Sequence, residues 1–510
     1  MFVKSCEKQV TGINKYNTPI YNYLRDYAGQ GIQVFHMPGH KLAKGIPQEM
    51  REDILQLDVT EVEGTDNLHF PEGIIKEAQE QAAKAFGADH TFFLVNGSTC
   101  GIQAAILSVC RRGQKIIIGR DSHRAVVAGL VLSGAEPVFV YPGYNEEFGI
   151  SEAVDPQSIE ECLRSNPDAA AVLITRPNYY GICGDIKEIC RVVHAHGKVL
   201  IVDEAHGAHL AFNGRLPEPA LKHGADICIQ SAHKTLPAVT QGSYLHVKGG
   251  RVDIDRLKTN LALLQTSSPS YIIMAYLDIA REIMITEGKE KLEVLLKELE
   301  GFEKELGKCG AYKLLTDRNI DRKAVQDPTR LVINISGLGI SGYRAEKILR
   351  EQFKTQIEMA DHENLVLILT ITDNRESLAG LLNALKGLAS MEFSEACGLE
   401  SIKQGKILNY KEYMKEIAAG RQKEGASDGR GIKGMLPWEA YSLQKEEVPL
   451  AVSANRICAG TVTPYPPGIP ILYPGEMIGE SQIGYISAII AAGGKVNGIG
   501  GNKNIQVVLQ

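Results

Sequence analysis

Four groups in this chain have types and spacings that suit one joint chemistry. Lys234 ends Ser231-Ala232-His233-Lys234, Asp203 closes the apolar run KVLIVD, His123 ends Asp121-Ser122-His123, and Ser98 and Thr99 follow Asn96-Gly97. A lysine amine condenses with an aldehyde, and a carboxylate keeps a heterocyclic nitrogen protonated. An imidazole lies flat against a ring. Hydroxyls beside free N–H groups at a helix start hold a phosphate. Pyridoxal 5′-phosphate (PLP) uses all four at once, with Ser231 as a further hydroxyl for the phosphate. Taken singly, each has a plainer reading: Lys234 as a solvated lysine at a helix start, Asp203 as a cap, His123 as a satisfied turn histidine, Ser98-Thr99 as an N-cap. Four complementary groups on four strand ends of one sheet favour the joint reading.

The elements that must position them alternate between Thr91 and Ser231. Short β-branched runs (TFFLV, KIIIG, PVFVY, AVLIT, KVLIVDE, ICIQS) are separated by longer helical patterns. That is the signature of a mostly parallel α/β sheet covered on both faces. In such sheets ligands bind beyond the carboxyl ends of the strands, where the four groups stand. An arm over 1–65 precedes a large domain over 66–300, with a helix expected from Ile74 to Phe86. Tyr271 to Gly310 reads as long helices. LVINIS, LVLILTIT and the helical SLAGLLNALKGLA predict a small α+β domain over 301–392. A C-terminal domain over 393–510 begins with a polar, glycine-rich linker at about 418–434.

Other chemistries are weaker. Asp203-Glu204-Ala205-His206 spells a helicase box, yet the chain has no Gly-Lys-Ser/Thr phosphate loop for a nucleotide. The formal net charge of −6 supplies no basic field for nucleic acid. A metal hydrolase built on His194, His196, Asp203, His206 and His209 is the stronger competitor, but His194 and His196 precede the strand that ends in Asp203 and fall at its opposite end. No metal is therefore expected. Ten cysteines without a Cys-x-x-Cys pair fit a reducing compartment. With no signal-peptide core and no apolar run of spanning length, the expected home is the cytoplasm, away from membranes.

Beyond these groups, FHMPGHK (Phe35–Lys41), DNLHFPEGII (Asp66–Ile75), VDEAHGAHL, SAHKTLPAVTQGS, QTSSPSY and YPPGIPILYPGE (Tyr465–Glu476) resemble, in order, the Orn/Lys/Arg decarboxylase family. The resemblance covers nearly the whole chain and is similar to the short branch of Gram-positive arginine decarboxylases, without the N-terminal wing of the long forms. It implies a fold-type-I PLP enzyme, aspartate aminotransferase-like, that decarboxylates a basic L-amino acid: arginine to agmatine first, lysine or ornithine next. It implies Lys234 as the Schiff-base lysine, Asp203 as the pyridinium partner, His123 as the stacked imidazole and Ala205 as the small residue under the ring. Ser98, Thr99, Ser231 and His233 are implied phosphate contacts. Thr266 would reach the phosphate of a neighbouring subunit, giving a homodimer with shared active sites and room for higher assembly. His206 stands where the long enzymes carry a tryptophan, and the resemblance leaves the group facing the substrate carboxylate open.

The resemblance leaves the proton donor to the α-carbon open among Lys234, His206 and a group from a partner subunit. A cationic substrate side chain calls for a carboxylate, and Asp66 and Glu476 are candidates by motif, with helix capping or solvent exposure as the alternative. Cys100 reads as packing. Another fold-type-I reaction, a transamination or a lyase step, is the main alternative, for which Arg456 is the late arginine to test. A catalytically silent member is the third. Polyamine biosynthesis is favoured over acid consumption by the same resemblance.

Overall fold

The computed structural model describes residues 18–393, 434–465 and 468–509, so most of the expected 418–434 linker lies outside the described residues. Its central element is a seven-stranded sheet. In chain order the strands are β1 (His90–Leu94), β2 (Lys115–Gly119), β3 (Glu136–Val140), β4 (Ala171–Thr175), β5 (Val199–Asp203), β6 (Ile227–Gln230) and β7 (Ser243–Val247). The spatial order is β1-β7-β6-β5-β4-β2-β3. β7 runs antiparallel to both β1 and β6, and the other neighbours pair in parallel, so the C-terminal ends of β1 to β6 share one edge.

Alternation along each strand assigns the two covering layers. Val172 and Ile174 of β4, with Leu200 and Val202 of β5, enter one apolar core. Ala171 and Leu173, with Ile201, enter the other. Successive side chains point to opposite faces of a strand, and a sheet with helices on both sides buries both sets. The six apolar runs are six of the seven strands. The seventh, SYLHV, carries a polar Ser243 and His246 and breaks the apolar pattern. Burial of His246 is made tolerable by Thr91 Oγ1 at 2.8 Å and Gln230 Oε1 at 3.2 Å.

Helix α1 (Pro19–Gly29) starts the described arm, and α2 (Ile74–Phe86) has the expected bounds. α3 (Gly97–Val109) follows β1, and α4 (Arg124–Ser133) follows β2. Beyond β7, Tyr271–Ile283 and Lys289–Gly307 are joined through a π-helical turn, and the second helix runs through position 300. The small domain has an antiparallel sheet of β8 (Lys313–Leu314), β9 (Arg330–Asn334), β10 (Met359–Ala360) and β11 (Asn364–Ile368), in the order β8-β9-β11-β10. Helix Arg375–Ala389 starts from a capping box in which Asn374 accepts from the N–H groups of Glu376 and Ser377. The arm joins this domain: Gln33–Phe35 pairs in parallel with Thr355–Ile357. The C-terminal unit has its own core, which includes Leu472, Ile478, Ile486 and Val507. Among the described residues no helix is long and apolar enough to cross a membrane.

Candidate active site

The shared strand edge opens into a cavity of about 600 Å³. Its lining includes Ser98 and Thr99 after β1, His123 after β2, Thr175 at the end of β4, Asp203, Ala205 and His206 at the end of β5, and Ser231, His233 and Lys234 after β6. The strand-end groups read from the sequence therefore meet in one place.

Lys234 is half-buried, and its Nζ lies 3.1 Å from His206 Nε2. Burial pulls the amine below its ordinary range, while Asp203 and then Glu358 pull it back up. Asp203 is 2% exposed, and its Oδ1 accepts from the Ala205 N–H at 3.1 Å. Burial raises its carboxyl, with Lys234 opposing, so a cationic N–H partner is what would keep it ionised. The adjacent Glu204 turns the other way. Its oxygens accept from the Ala220 N–H at 2.9 Å and Gln230 Nε2 at 2.7 Å, and Arg176 lies 3.6 Å off. The Asp-Glu pair thus splits into one carboxyl for the cavity and one for the scaffold.

His123 is the N-cap of α4: its Nδ1 accepts from the Ala125 N–H at 3.2 Å. Burial, then Lys234 and Arg124, push its pKa down to about 3, so the ring is neutral. Gly468 of the late Pro-Pro-Gly motif sits on this ring. A Cβ there would fall 2.9 Å from Cδ2 and Nε2 of His123, and the backbone adopts φ +90°. The C-terminal unit thereby walls the cavity, together with Tyr465 and Ile469. At the phosphate end no side chain caps α3, and Ser231 Oγ donates to Ser98 Oγ at 2.8 Å. His233 donates from Nδ1 to the Gly242 carbonyl at 3.0 Å, and burial lowers it to about 4.

Two sequence candidates are corrected. Asp66 is not among the cavity residues; its oxygens accept backbone N–H groups from Asn67, Glu72, Gly73 and Ile75 at 2.8–2.9 Å and from Lys76 at 3.3 Å. It fastens the turn ahead of α2, the capping alternative. Glu476 is likewise outside the cavity, half-buried beside Arg120 at 3.2 Å and accepting from the Tyr473 N–H at 2.9 Å. Arg120 also donates to the carbonyls of Pro470 and Ile471, so this pair bolts the C-terminal unit to the large domain. Thr266 stands on an exposed turn outside the chain's own cavity lining, with its Oγ1 accepting from the Ser268 N–H. Arg456 pairs with Glu446 and the Val508 carbonyl, away from the cavity. Cys100 packs against the Gly97 carbonyl, and burial pushes its thiol up to about 12.

Three of the four histidines of the metal alternative have separate partners. His194 meets Asp226 at 2.9 Å, His209 meets Asp327 at 3.1 Å, and His206 meets Lys234 and Arg330.

The sequence reading missed Glu358, Tyr179, Asp121, Tyr27 and His36 in the lining, and Arg330 behind it. Asp121 and Tyr179 had a signal, since they stand two and four residues past the ends of β2 and β4. Glu358, Tyr27 and His36 come from the small domain and the arm, and only long-range packing brings them in.

The residues present fit PLP. An amine, a buried carboxyl, a neutral imidazole and an uncapped helix start converge in one cavity, and Asp121 Oδ1 and Thr175 Oγ1 are buried there without a partner among the described residues.

Comparison with known proteins agrees. Residues 18–377 match the family model of the Orn/Lys/Arg decarboxylase major domain, and 435–503 match that of its C-terminal domain. An arginine decarboxylase of Bacillus subtilis is 36% identical over 492 residues, covering 95% of this chain and 96% of that protein. One from Halalkalibacterium halodurans is 34% identical over 487 residues, covering 94% and 95%. A lysine decarboxylase of Pseudomonas aeruginosa is 24% identical over 561 residues, covering 91% and 74%. In fold, the solved lysine decarboxylase of Francisella novicida superposes with a TM-score of 0.72 at 20% identity, covering 96% of this chain and 81% of that one.

Proposed function

The chain belongs to the Orn/Lys/Arg decarboxylase family, and from that premise we propose that it converts L-arginine to agmatine and carbon dioxide with PLP held by Lys234. The observation that carries the reading is one cavity lined by Lys234, Asp203 and Glu358. Arginine is preferred because the relatives at 34–36% identity named above are arginine decarboxylases.

When bound, PLP supplies an electron sink for the bond broken at the substrate's α-carbon. The chain's residues do the rest. The Lys234 amine would be its covalent anchor, Asp203 would keep its ring nitrogen protonated, and His123, neutral and backed by Gly468, would offer a flat wall to its ring. Ser98, Thr99, Ser231 and His233 surround the uncapped start of α3, where an anion is favoured. Among the described residues the lining carries three carboxyls, Asp121, Asp203 and Glu358. With Asp203 assigned to the cofactor and Asp121 neighbouring it, Glu358 is the carboxylate left to read a guanidinium.

The reading includes a cytoplasmic homodimer in which Thr266 of one chain reaches the phosphate site of the other. Its exposed turn and the apolar, exposed face of α1 (Ile20, Tyr23, Leu24) support that arrangement. Sedimentation of wild type against a Thr266→Ala variant, with PLP affinity measured on both, tests it.

The test of function is product analysis with PLP and L-arginine, L-lysine and L-ornithine in parallel. Agmatine should form with kcat/KM at least about tenfold above the other two amines, a margin worth about 1.4 kcal/mol. Cadaverine or putrescine as the main product, or amino transfer without carbon dioxide, would overturn it.

A further inference from the structure

The loop after β5 sends two histidines, three residues apart, to the segment of the small domain that leads into β9. His209 Nε2 lies 3.1 Å from Asp327 Oδ2 and 2.9 Å from Thr329 Oγ1, and His206 Nδ1 lies 2.5 Å from Arg330 Nη2. Asp327, Thr329 and Arg330 are all buried. Among the described residues no carboxylate is ion-paired with Arg330; its guanidinium carbon stands 5.8 Å from the Tyr179 ring centroid, and its Nη1 is buried without a hydrogen-bond partner. A buried guanidinium is costly unless paired, so spending this one on an imidazole calls for a reason.

The reason lies in hydrogen-bond polarity. A guanidinium has only donors, so Arg330 requires a lone pair on His206 Nδ1. A neutral imidazole then carries its one proton on Nε2. That Nε2 faces Lys234 Nζ at 3.1 Å, and an N–H there needs a lone pair opposite, which the amine has and the ammonium lacks. We propose that Arg330 is a positioning residue that fixes the tautomer of His206 and thereby holds Lys234 as the free amine able to condense with an aldehyde. The inference rests on Lys234 being the cofactor-bearing lysine, but it concerns the chain before anything binds.

The groups around Lys234 set the balance. Asp203 from β5 and Glu358 from the segment before β10 favour the ammonium, whereas burial and the charge of Arg330 on β9 oppose it. His123 and His233 share the lining. Arg330 therefore acts in one direction through both its charge and its hydrogen bond. The same contact keeps His206 from becoming an imidazolium, because its Nδ1 is occupied by a donor. His206 then has no acidic proton for the product carbon.

The test reads Lys234 in the cofactor-free full chain. Trace acetylation with acetic anhydride across pH, quantified on the Lys234 peptide by mass spectrometry, gives the midpoint of the free amine. Wild type and Arg330→Lys, which keeps a cationic donor, should share a midpoint below that of an ordinary lysine. Arg330→Met should raise it by about one unit or more, cutting the free amine near neutral pH about tenfold. Arg330→Gln, a donor without charge, should fall between. Equal midpoints in wild type and Arg330→Met overturn the proposal. If Arg330→Met does not fold, histidine 15N spectra of wild type decide, with the His206 signal assigned by its loss in His206→Gln. A protonated Nε2 supports the lock, and a protonated Nδ1 refutes it. Borohydride trapping of PLP separates the two readings: a trapped Lys234 with an unmoved midpoint refutes the lock alone, and no trapping refutes the anchor.

Discussion

The Tyr179 hydroxyl donates to Glu358 Oε1 at 2.9 Å, and the Met37 N–H meets Oε2 of the same carboxylate at 3.0 Å. Two neutral donors, one after β4 and one from the arm, fix the carboxylate without cancelling its charge. The Tyr179 ring meets His206 edge-on, with centroids 5.1 Å apart, so this carboxylate is built into the same wall as the Lys234 contact.

If Glu358 reads the cationic end of the substrate, Glu358→Gln should raise KM for arginine roughly ten- to a hundredfold, the loss of a hydrogen bond to a charged group worth about 1.5–3 kcal/mol. Tyr179→Phe keeps the charge and should cost roughly 1 kcal/mol or less. Steady-state kinetics check both. An unchanged KM in Glu358→Gln would remove the assignment.

Asp203→Asn keeps the shape of the group and removes its charge. Borohydride should still trap PLP on Lys234 in this variant, while kcat falls on the order of 10²–10³-fold, as when a preorganised electrostatic partner is lost. Retained kcat would show that the ring nitrogen has no need of the carboxylate.

Glu476 and Arg120 predict a stability effect with no change of specificity. Their half-buried pair is stacked beside Tyr473 and Phe139, with the guanidinium 4.5 and 5.2 Å from the two ring centroids. Glu476→Gln should destabilise the chain by about 1.5–3 kcal/mol, since it weakens a charge-assisted hydrogen bond to a guanidinium that keeps its carbonyl partners. Urea titration measures this. The ratio of kcat/KM for arginine over lysine should stay constant, and a shifted ratio would return Glu476 to the substrate site.

Acid should weaken the cofactor-free chain from the mid-range of pH downward. His123 titrates at 6.5 unfolded but only near 3 when folded, because burial, Lys234 and Arg124 resist its charge. Between those values the unfolded chain binds more protons. The contribution of His123 is therefore full above 6.5 and lost as pH falls toward 3. Burial holds His246 at about 3 as well, adding in the same direction. Urea midpoints from pH 7 to pH 4 should fall in wild type and fall less steeply in His123→Phe. Parallel slopes would contradict the assignment.

What could be read without coordinates was what lies next to a strand. Ser98, His123, Asp203 and Lys234 each follow an apolar run, and a parallel sheet gathers such ends on one edge whatever its helices do. Residues brought in from other domains left no local trace. Arg330 is separated from His206 by 124 positions, and its strand shows only an apolar pattern. Asp66 and Glu476 misled for the reverse reason: both are carboxylates in distinctive motifs, yet nearby N–H groups and Arg120 already claim them. The strand SYLHV was hidden because His246 is polar and buried, a combination that needs its two long-range partners to make sense.

The most direct measurement of the central claim is to load the full chain with PLP, reduce it with borohydride and map the adduct by mass spectrometry. The account predicts one reduced pyridoxyl group on Lys234, absent in Lys234→Ala along with the absorbance of the bound cofactor. A stable adduct on any other lysine, or none at all in a chain that decarboxylates arginine, would contradict it.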